Sequence, residues 1–336
     1  MRESISDNHA SEVPTDQIAA KIFNGYLASH AVHVLDECGL TDSLMTGLDP
    51  EAAEGRLDAK ALSIVLDILR DQGIAARHAD KYVLTREGQQ VFRNVGFFTW
   101  AIGGYGSYFR SLPDIVRGAA CPARNDADVA RGCGQVDSAM MRDGVHQVLA
   151  GLRPGRIADL GCGDATRLVS YLGRDTSVRG VGVERSEASA LMARRRIEEA
   201  GLSHRVDIIA ADCLSDLGPR RHEDVDVVMS FFLLHDLLAA QDGSFETVAA
   251  RIRRNFPEAH HYLFADTTSD EAFAPSAEAP IFIRAFQLVH GIMGIPLRTR
   301  AEYESLLVTE HTSVESVIEL AVPNSFLFVL RAMKPK

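Results

Sequence analysis

The chain has 336 residues, about twice the ~150 that one domain usually takes, so two domains are expected. Lysine and arginine total 35 against 46 aspartate and glutamate, a net charge of −11 that would repel a phosphate backbone and argues against a nucleic-acid partner. The composition, 46% hydrophobic and 24% charged, is that of a globular protein, and no apolar run approaches the ~18 residues of a membrane helix, so no membrane partner is expected.

Residues 1–17 are polar and mildly acidic, lack an apolar signal core, and read as a flexible tail. The cysteines (Cys38, Cys121, Cys133, Cys162, Cys213) are odd in number and scattered, with no C-x-x-C, which disfavours a disulfide framework or a structural zinc site and fits a reducing cytoplasm. From Gln17 to about Leu44, apolar residues recur at helical spacing (Ile18, Ile22, Phe23, Tyr26, Leu27, Val34, Leu35) and run into Gly39 as a C-cap. That stripe is wide for one core. Packing between subunits and burial within its own domain are both open readings. Over residues 59–92, Ala61, Leu62, Ile64, Val65, Ile68 and Leu69 form a helix face ending at Gly73. A strand-turn-strand follows, 74–77 and 82–84, with His78-Ala79-Asp80-Lys81 as the turn. Helix plus hairpin suggests a winged helix, but its helix carries little positive charge, so dimerisation or a lid is favoured over DNA binding.

A stretch rich in Gly, Ala, Pro, Arg and Asp over about 112–134 reads as the connection between domains, giving 1–112 and 113–336. Beyond it, apolar strands at 157–160, 178–184, 206–212, 225–232 and 262–266 alternate with helical segments, the pattern of a parallel sheet covered on both faces. Two final β-rich runs, 314–320 and 326–331, are joined by Val322-Pro323-Asn324-Ser325, a link short enough only for antiparallel strands.

The sharpest local signal is Asp159-Leu160-Gly161-Cys162-Gly163-Asp164-Ala165, where an apolar strand enters a glycine turn and a helix begins near Thr166. The glycines let backbone approach a ligand where a Cβ would collide. A dinucleotide fingerprint would want Gly at the position of Thr166. The loop that holds S-adenosylmethionine instead has an acidic residue before the first Gly and a third small residue, here Asp159 and Ala165. Glu184 ends the second strand 21 residues past Gly163, where a carboxylate can chelate ribose hydroxyls, and Asp212 with Cys213 ends the third, beside the expected adenine edge. Helix capping is the bland alternative for Glu184 and Asp212.

With these residues the whole chain resembles the small-molecule methyltransferases of the caffeate and hydroxyindole O-methyltransferase superfamily. That resemblance implies an α/β fold: a Rossmann-like class I methyltransferase sheet with a terminal antiparallel hairpin, plus an N-terminal helical winged-helix domain that makes a homodimer. In those enzymes the His of a His-Asp-Trp segment is the general base. His235 falls there, in Phe231-Phe232-Leu233-Leu234-His235-Asp236, with Leu237 in place of the Trp. The runs Ile22-Phe23-Asn24-Gly25-Tyr26-Leu27-Ala28-Ser29 and His290-Gly291-Ile292-Met293-Gly294 are similar to the 2-oxo acid C-methyltransferases, the group of the phenylpyruvate and 2-ketoarginine enzymes. Ile102-Gly103-Gly104-Tyr105-Gly106 leans toward the 2-ketoarginine branch. This narrower resemblance implies methylation of the β-carbon of a 2-oxo acid (5-guanidino-2-oxopentanoate, or an aromatic or branched-chain acid) toward a β-methyl amino acid. It also implies one protein-bound iron or zinc ion held by two histidines, matching His235 and His290.

The chemistry explains those residue types. A C–H beside a ketone is a poor acid, so a metal chelated by the substrate would stabilise the developing charge and a base would take the proton. Asp236 is cast as that base or as an orienting partner. Hydroxyl methylation needs only the base, so the alternative is a metal-free O-methyltransferase using His235. On an apolar helix, His290 taken alone reads more simply as a core histidine. The rings would have to converge, and a separation above about 6 Å would be incompatible with metal–nitrogen bonds of ~2.0–2.1 Å. The substrate carboxylate calls for a forked cation. Local similarity to the C-methyltransferases suggests Arg131, with an ordinary surface arginine as the alternative. Tyr105 and Trp100 are candidates for the pocket wall, and core packing is the other reading for Trp100.

Overall fold

A computed structural model of the chain describes residues 15–53, 55–218, 222–269 and 280–333. The tail reading for residues 1–17 lies largely outside the described residues. The chain divides between Phe98 and Thr99 into two compact units.

The first unit holds α1 (Thr15–Glu37), α2 (Thr41–Thr46), α3 (Ala59–Asp71), the hairpin β1 (Ala75–His78) and β2 (Lys81–Leu84), α4 (Arg86–Arg93) and the short α5 (Val95–Phe98). Asp58 starts α3 by accepting the backbone N–H of Ala61 at 2.9 Å, the expected work of an N-cap. The hairpin is antiparallel, with His78 opposite Lys81, so its turn narrows to Ala79 and Asp80. Ala31, Val32 and Leu35 of α1 pack with Leu62, Leu66 and Leu69 of α3 and with Tyr82 and Leu84 of the hairpin. The wide apolar stripe of α1 thus splits: one side builds this core, while Ile18, Ile22, Phe23 and Tyr26 remain exposed.

The second unit opens with a π-helical turn, Thr99–Gly104, followed by α6 (Gly106–Val116), α7 (Asp126–Val136), a second π-helical turn, Asp137–Met141, and α8 (Arg142–Leu152). Then come β3 (Arg156–Leu160), α9 (Thr166–Leu172), β4 (Arg179–Glu184), α10 (Glu187–Glu199), β5 (Val206–Ala210), β6 (Val227–Phe231), α11 (Leu234–Ala239), α12 (Phe245–Asn255), β7 (His261–Thr267), α13 (Ile283–Ile292), α14 (Arg300–Leu306), β8 (Thr312–Glu319) and β9 (Ser325–Ala332). The seven strands β3 to β9 form one sheet in the order β5-β4-β3-β6-β7-β9-β8. Pairing is parallel from β5 to β7 and antiparallel for β9 against both neighbours, as the short link before Ser325 requires. β3 and β6 are buried along their whole length, including the polar Arg156 and Asp159 of β3 and Ser230 of β6.

β5 and β6 stop short of the apolar runs that announce them. After β5, Asp212 turns the chain by accepting the N–H of Leu214 at 2.8 Å. After β6, Phe232 enters the left-handed region at φ 52. The stretch over 112–134 is also a correction to the linker reading. It carries most of α7, whose small residues are packing devices: a Cβ at Gly103 or Gly104 would press on Asp128 or Val129 of α7, and one at Gly163 would meet Ala130 at 3.3 Å. Small residues here shorten distances between elements; they do not loosen the chain. Among the described residues, no helix is long and apolar enough to cross a membrane.

Candidate active site

The C-terminal edge of the parallel strands collects the polar residues, the edge where open α/β sheets bind ligands. The loop after β3 is built on left-handed backbone at Gly161 (φ 69), Gly163 (φ 56) and Ala165 (φ 61). A Cβ at Gly161 would lie 2.7 Å from Leu233, so glycine is required there twice over, by torsion and by space. Glu184 at the end of β4 ties down this loop: one carboxylate oxygen accepts the N–H of Gly163 at 3.0 Å, the other that of Ser186 at 2.8 Å.

Asp159 is placed differently. It is fully buried one layer below the loop, where the Arg167 guanidinium lies 3.3 Å from its carboxylate and 3.0 Å from that of Asp137. Burial pushes the Asp159 carboxyl up to about 7 against the pull of Arg167. The same guanidinium lies 3.5 Å from the ring centre of Phe231, a contact that binds the loop layer to β6. Asp212 is exposed at the end of β5, and Cys213 beside it is buried, its thiol pushed up to about 12 by that burial.

His235 begins α11, just after β6, and is 1% exposed. Its Nδ1 lies 2.8 Å from Oδ1 of Asp266, and its backbone N–H donates to the other oxygen of that carboxylate at 2.8 Å. Because a carboxylate only accepts, Nδ1 carries the proton of this contact. The orienting role considered for Asp236 therefore falls to Asp266, while Asp236 Oδ2 stands 3.8 Å from the opposite nitrogen, Nε2. Burial works against a charge on His235, but Asp266 and Asp236 outweigh it and hold its pKa above the ordinary value. Tyr303 of α14 adds its hydroxyl to Asp266 at 3.3 Å.

His290, 55 positions further along, meets His235 with ring centres 4.4 Å apart and planes at 85°. Its Nδ1–H donates to the Phe286 carbonyl at 2.7 Å. Burial and the neighbouring His235 push its pKa down to about 3, so the ring is neutral. Neither Nε2 makes a hydrogen bond among the described residues. No group of three or more His, Cys, Asp or Glu among the described residues is arranged to hold a metal ion; the two imidazoles stand as a pair.

Arg131 pairs with Asp128 at 3.0 Å, one turn away on α7. The arginine whose charge bears on both histidines and on Asp236 is Arg124. Its Nη1 donates to the Tyr105 hydroxyl at 2.6 Å and its Nε to Asp126 at 2.7 Å. Trp100, Tyr105, Tyr108, Phe286 and Val289 form one buried cluster, with Trp100 and Tyr105 ring centres 4.5 Å apart. Two residues of this site escaped the sequence reading. Asp266 had a signal, an acid ending the apolar run of β7; Arg124 had none, lying inside the stretch read as a linker.

Fold and site define a methyltransferase that uses S-adenosylmethionine. The methyltransferase-domain family matches residues 157–255. Human N-acetylserotonin methyltransferase, solved in complex with S-adenosylmethionine, superposes over 97% of this chain and 99% of its own with a TM-score of 0.66 at 15% identity, a likeness of fold. The indolepyruvate C-methyltransferase of Streptomyces griseus is 30% identical over 319 residues, covering 93% of this chain and 94% of that protein. The 2-ketoarginine methyltransferase of Streptomyces arginensis is 25% identical over 69% of each chain. The chain belongs to this family, the 2-oxo acid C-methyltransferases.

Proposed function

We propose that the enzyme transfers the methyl group of S-adenosylmethionine to the β-carbon of a 2-oxo acid, toward a β-methyl amino acid. The observation that carries this reading is the His235–His290 pair, with ring centres 4.4 Å apart and each Nδ1–H spent on an oxygen. The names of the two relatives point the same way.

On this reading Gly161 and Gly163 admit the donor to the backbone. Glu184 receives the ribose hydroxyls on the lone pairs left beyond its two backbone bonds, and Asp212 with Cys213 borders the adenine. Asp159 acts beneath the loop, through Arg167.

The two imidazoles fit an iron or zinc ion, because a ring anchored through Nδ1–H presents Nε2 for coordination, and two protein ligands leave positions for substrate oxygens and water. Such an ion would supply Lewis acidity at the substrate ketone. Asp236, 3.8 Å from His235 Nε2, receives the β-proton on this reading. Arg124 takes the substrate carboxylate on guanidinium N–H groups beyond those given to Tyr105 and Asp126. Arg131, held by Asp128, is the alternative clamp.

The test is a panel of 2-oxo acids with a methyl-labelled donor, run alongside metal analysis of the wild type and His290→Ala. A new carbon–methyl bond, with stoichiometric metal lost in the variant, is the expected result. A second reading draws on the Asp266–His235 contact: metal-free methylation of a phenolic hydroxyl with His235 as base. It predicts full activity after chelation and the label on oxygen, a result that would replace the first reading.

Two chains pair, we further propose, through the exposed row Ile18, Ile22, Phe23 and Tyr26 of α1, and sedimentation of the purified protein would show the dimer. The free cysteines fit a cytoplasmic location.

A further inference from the structure

We infer that Phe282 is a specificity-determining residue that selects 2-oxo acids bearing a flat aromatic side chain; the inference rests on the 2-oxo acid reading above. Phe282 caps α13 at φ 81 and ψ −42, a region that a bulky side chain enters only when its surroundings hold it there. Its ring meets Trp100 edge-on at 5.1 Å and Phe286 at 5.0 Å.

Phe282, Phe286 and His290 follow one another at four-residue spacing on one face of α13, with Phe286 4.0 Å from His290 and 5.4 Å from His235. This aromatic row leads from the imidazole pair to Phe282, about 12 Å along the axis at ~1.5 Å per residue. Trp100 lies alongside, 6.3 Å from Phe286 with planes only 27° apart, and Tyr105 joins it to Arg124. An acid with its ketone at the histidines and its carboxylate at Arg124 would therefore rest its remaining atoms on ring faces and edges, which reward a planar apolar group. Among the described residues, the Asp126 and Asp128 carboxylates beside this row are already paired with Arg124 and Arg131, so a guanidinium tail would lose its water there for less return than a flat apolar group. The Ile102-Gly103-Gly104-Tyr105-Gly106 segment has its own explanation in the close approach of α7.

The test uses the full chain, S-adenosylmethionine and three acids: indole-3-pyruvate, 5-guanidino-2-oxopentanoate and 4-methyl-2-oxopentanoate. The wild type favours the aromatic acid in kcat/KM. In Phe282→Ala the aromatic-to-aliphatic ratio falls roughly tenfold, carried by KM, while Phe282→Tyr keeps it. Phe282→Gly loses the same selectivity yet melts above Phe282→Ala, because glycine is at ease at positive φ. A ratio that stays within about twofold in Phe282→Ala overturns the inference, as does a wild-type preference for the guanidino or aliphatic acid, and both leave carbon methylation standing. A lower melting temperature for Phe282→Gly than for Phe282→Ala removes the strain argument and overturns it as well. Failure of the wild type to methylate any 2-oxo acid overturns this inference and the proposed function together.

Discussion

Asp266 grips His235 at two points, taking the ring Nδ1–H at 2.8 Å on one carboxylate oxygen and the backbone N–H at 2.8 Å on the other. The ring is thereby fixed in tautomer and direction, with Nε2 on the side away from Asp266. In Asp266→Asn the amide offers a donor where Nδ1 needs an acceptor. We expect kcat/KM to fall by roughly 10–100-fold with donor affinity retained, measured by steady-state kinetics and by titration calorimetry of the donor. An unchanged kcat/KM would remove His235 from the chemistry.

The two arginines of the α7 region are separable by kinetics. Arg124→Lys keeps the charge but loses the planar fork, so KM for the 2-oxo acid should rise by about tenfold or more while kcat moves less. Arg131→Lys, with its partner Asp128 one turn away, should change KM far less. Equal effects, or a larger effect at Arg131, would reassign the carboxylate clamp.

Asp159 makes stability depend on pH. Burial raises its carboxyl to about 7 in the folded chain, so the folded state keeps a proton that the unfolded state releases near pH ~4. Its contribution to stability is therefore greatest below that lower value and falls as pH rises to about 7, by roughly 4 kcal/mol. Denaturant titrations between about pH 5 and about pH 8 should show the advantage of Asp159→Asn over wild type growing through this window and then levelling. A difference that shrinks as pH rises would mean that the Arg167 pairing, not burial, controls this group.

Gly88→Ala should destabilise the first unit. A Cβ there would sit on the carbonyl oxygen of Ile74, which already accepts the N–H and hydroxyl of Thr85 at 3.0 and 3.1 Å and so has little freedom to yield. A loss of at least ~2 kcal/mol, read from urea midpoints, is expected. A wild-type midpoint would show that α4 can move away.

The order of strands and helices was legible because each is announced locally: predominantly apolar runs for β4 and β6, an acid and glycines at the turn after β3, and a link before β9 too short for anything but an antiparallel return. Glu184 and His235 were legible for the same reason, each standing where a strand ends. The stretch over 112–134 was misleading, since small residues mark equally a loose linker and a helix pressed against its neighbours, and only the neighbours distinguish them.

Sequence alone thus determined the sheet and the glycine turn after β3, and singled out the two histidines that the fold brings side by side. The tertiary structure decided that Asp266 rather than Asp236 bonds His235 Nδ1, that Arg124 is held by Tyr105 and Asp126, and that Phe282 is wedged against Trp100. The physical reason is reach: turn torsions and strand periodicity are set by adjacent residues, whereas Asp266 meets His235 across 31 positions, a contact that exists only once β6 and β7 lie side by side.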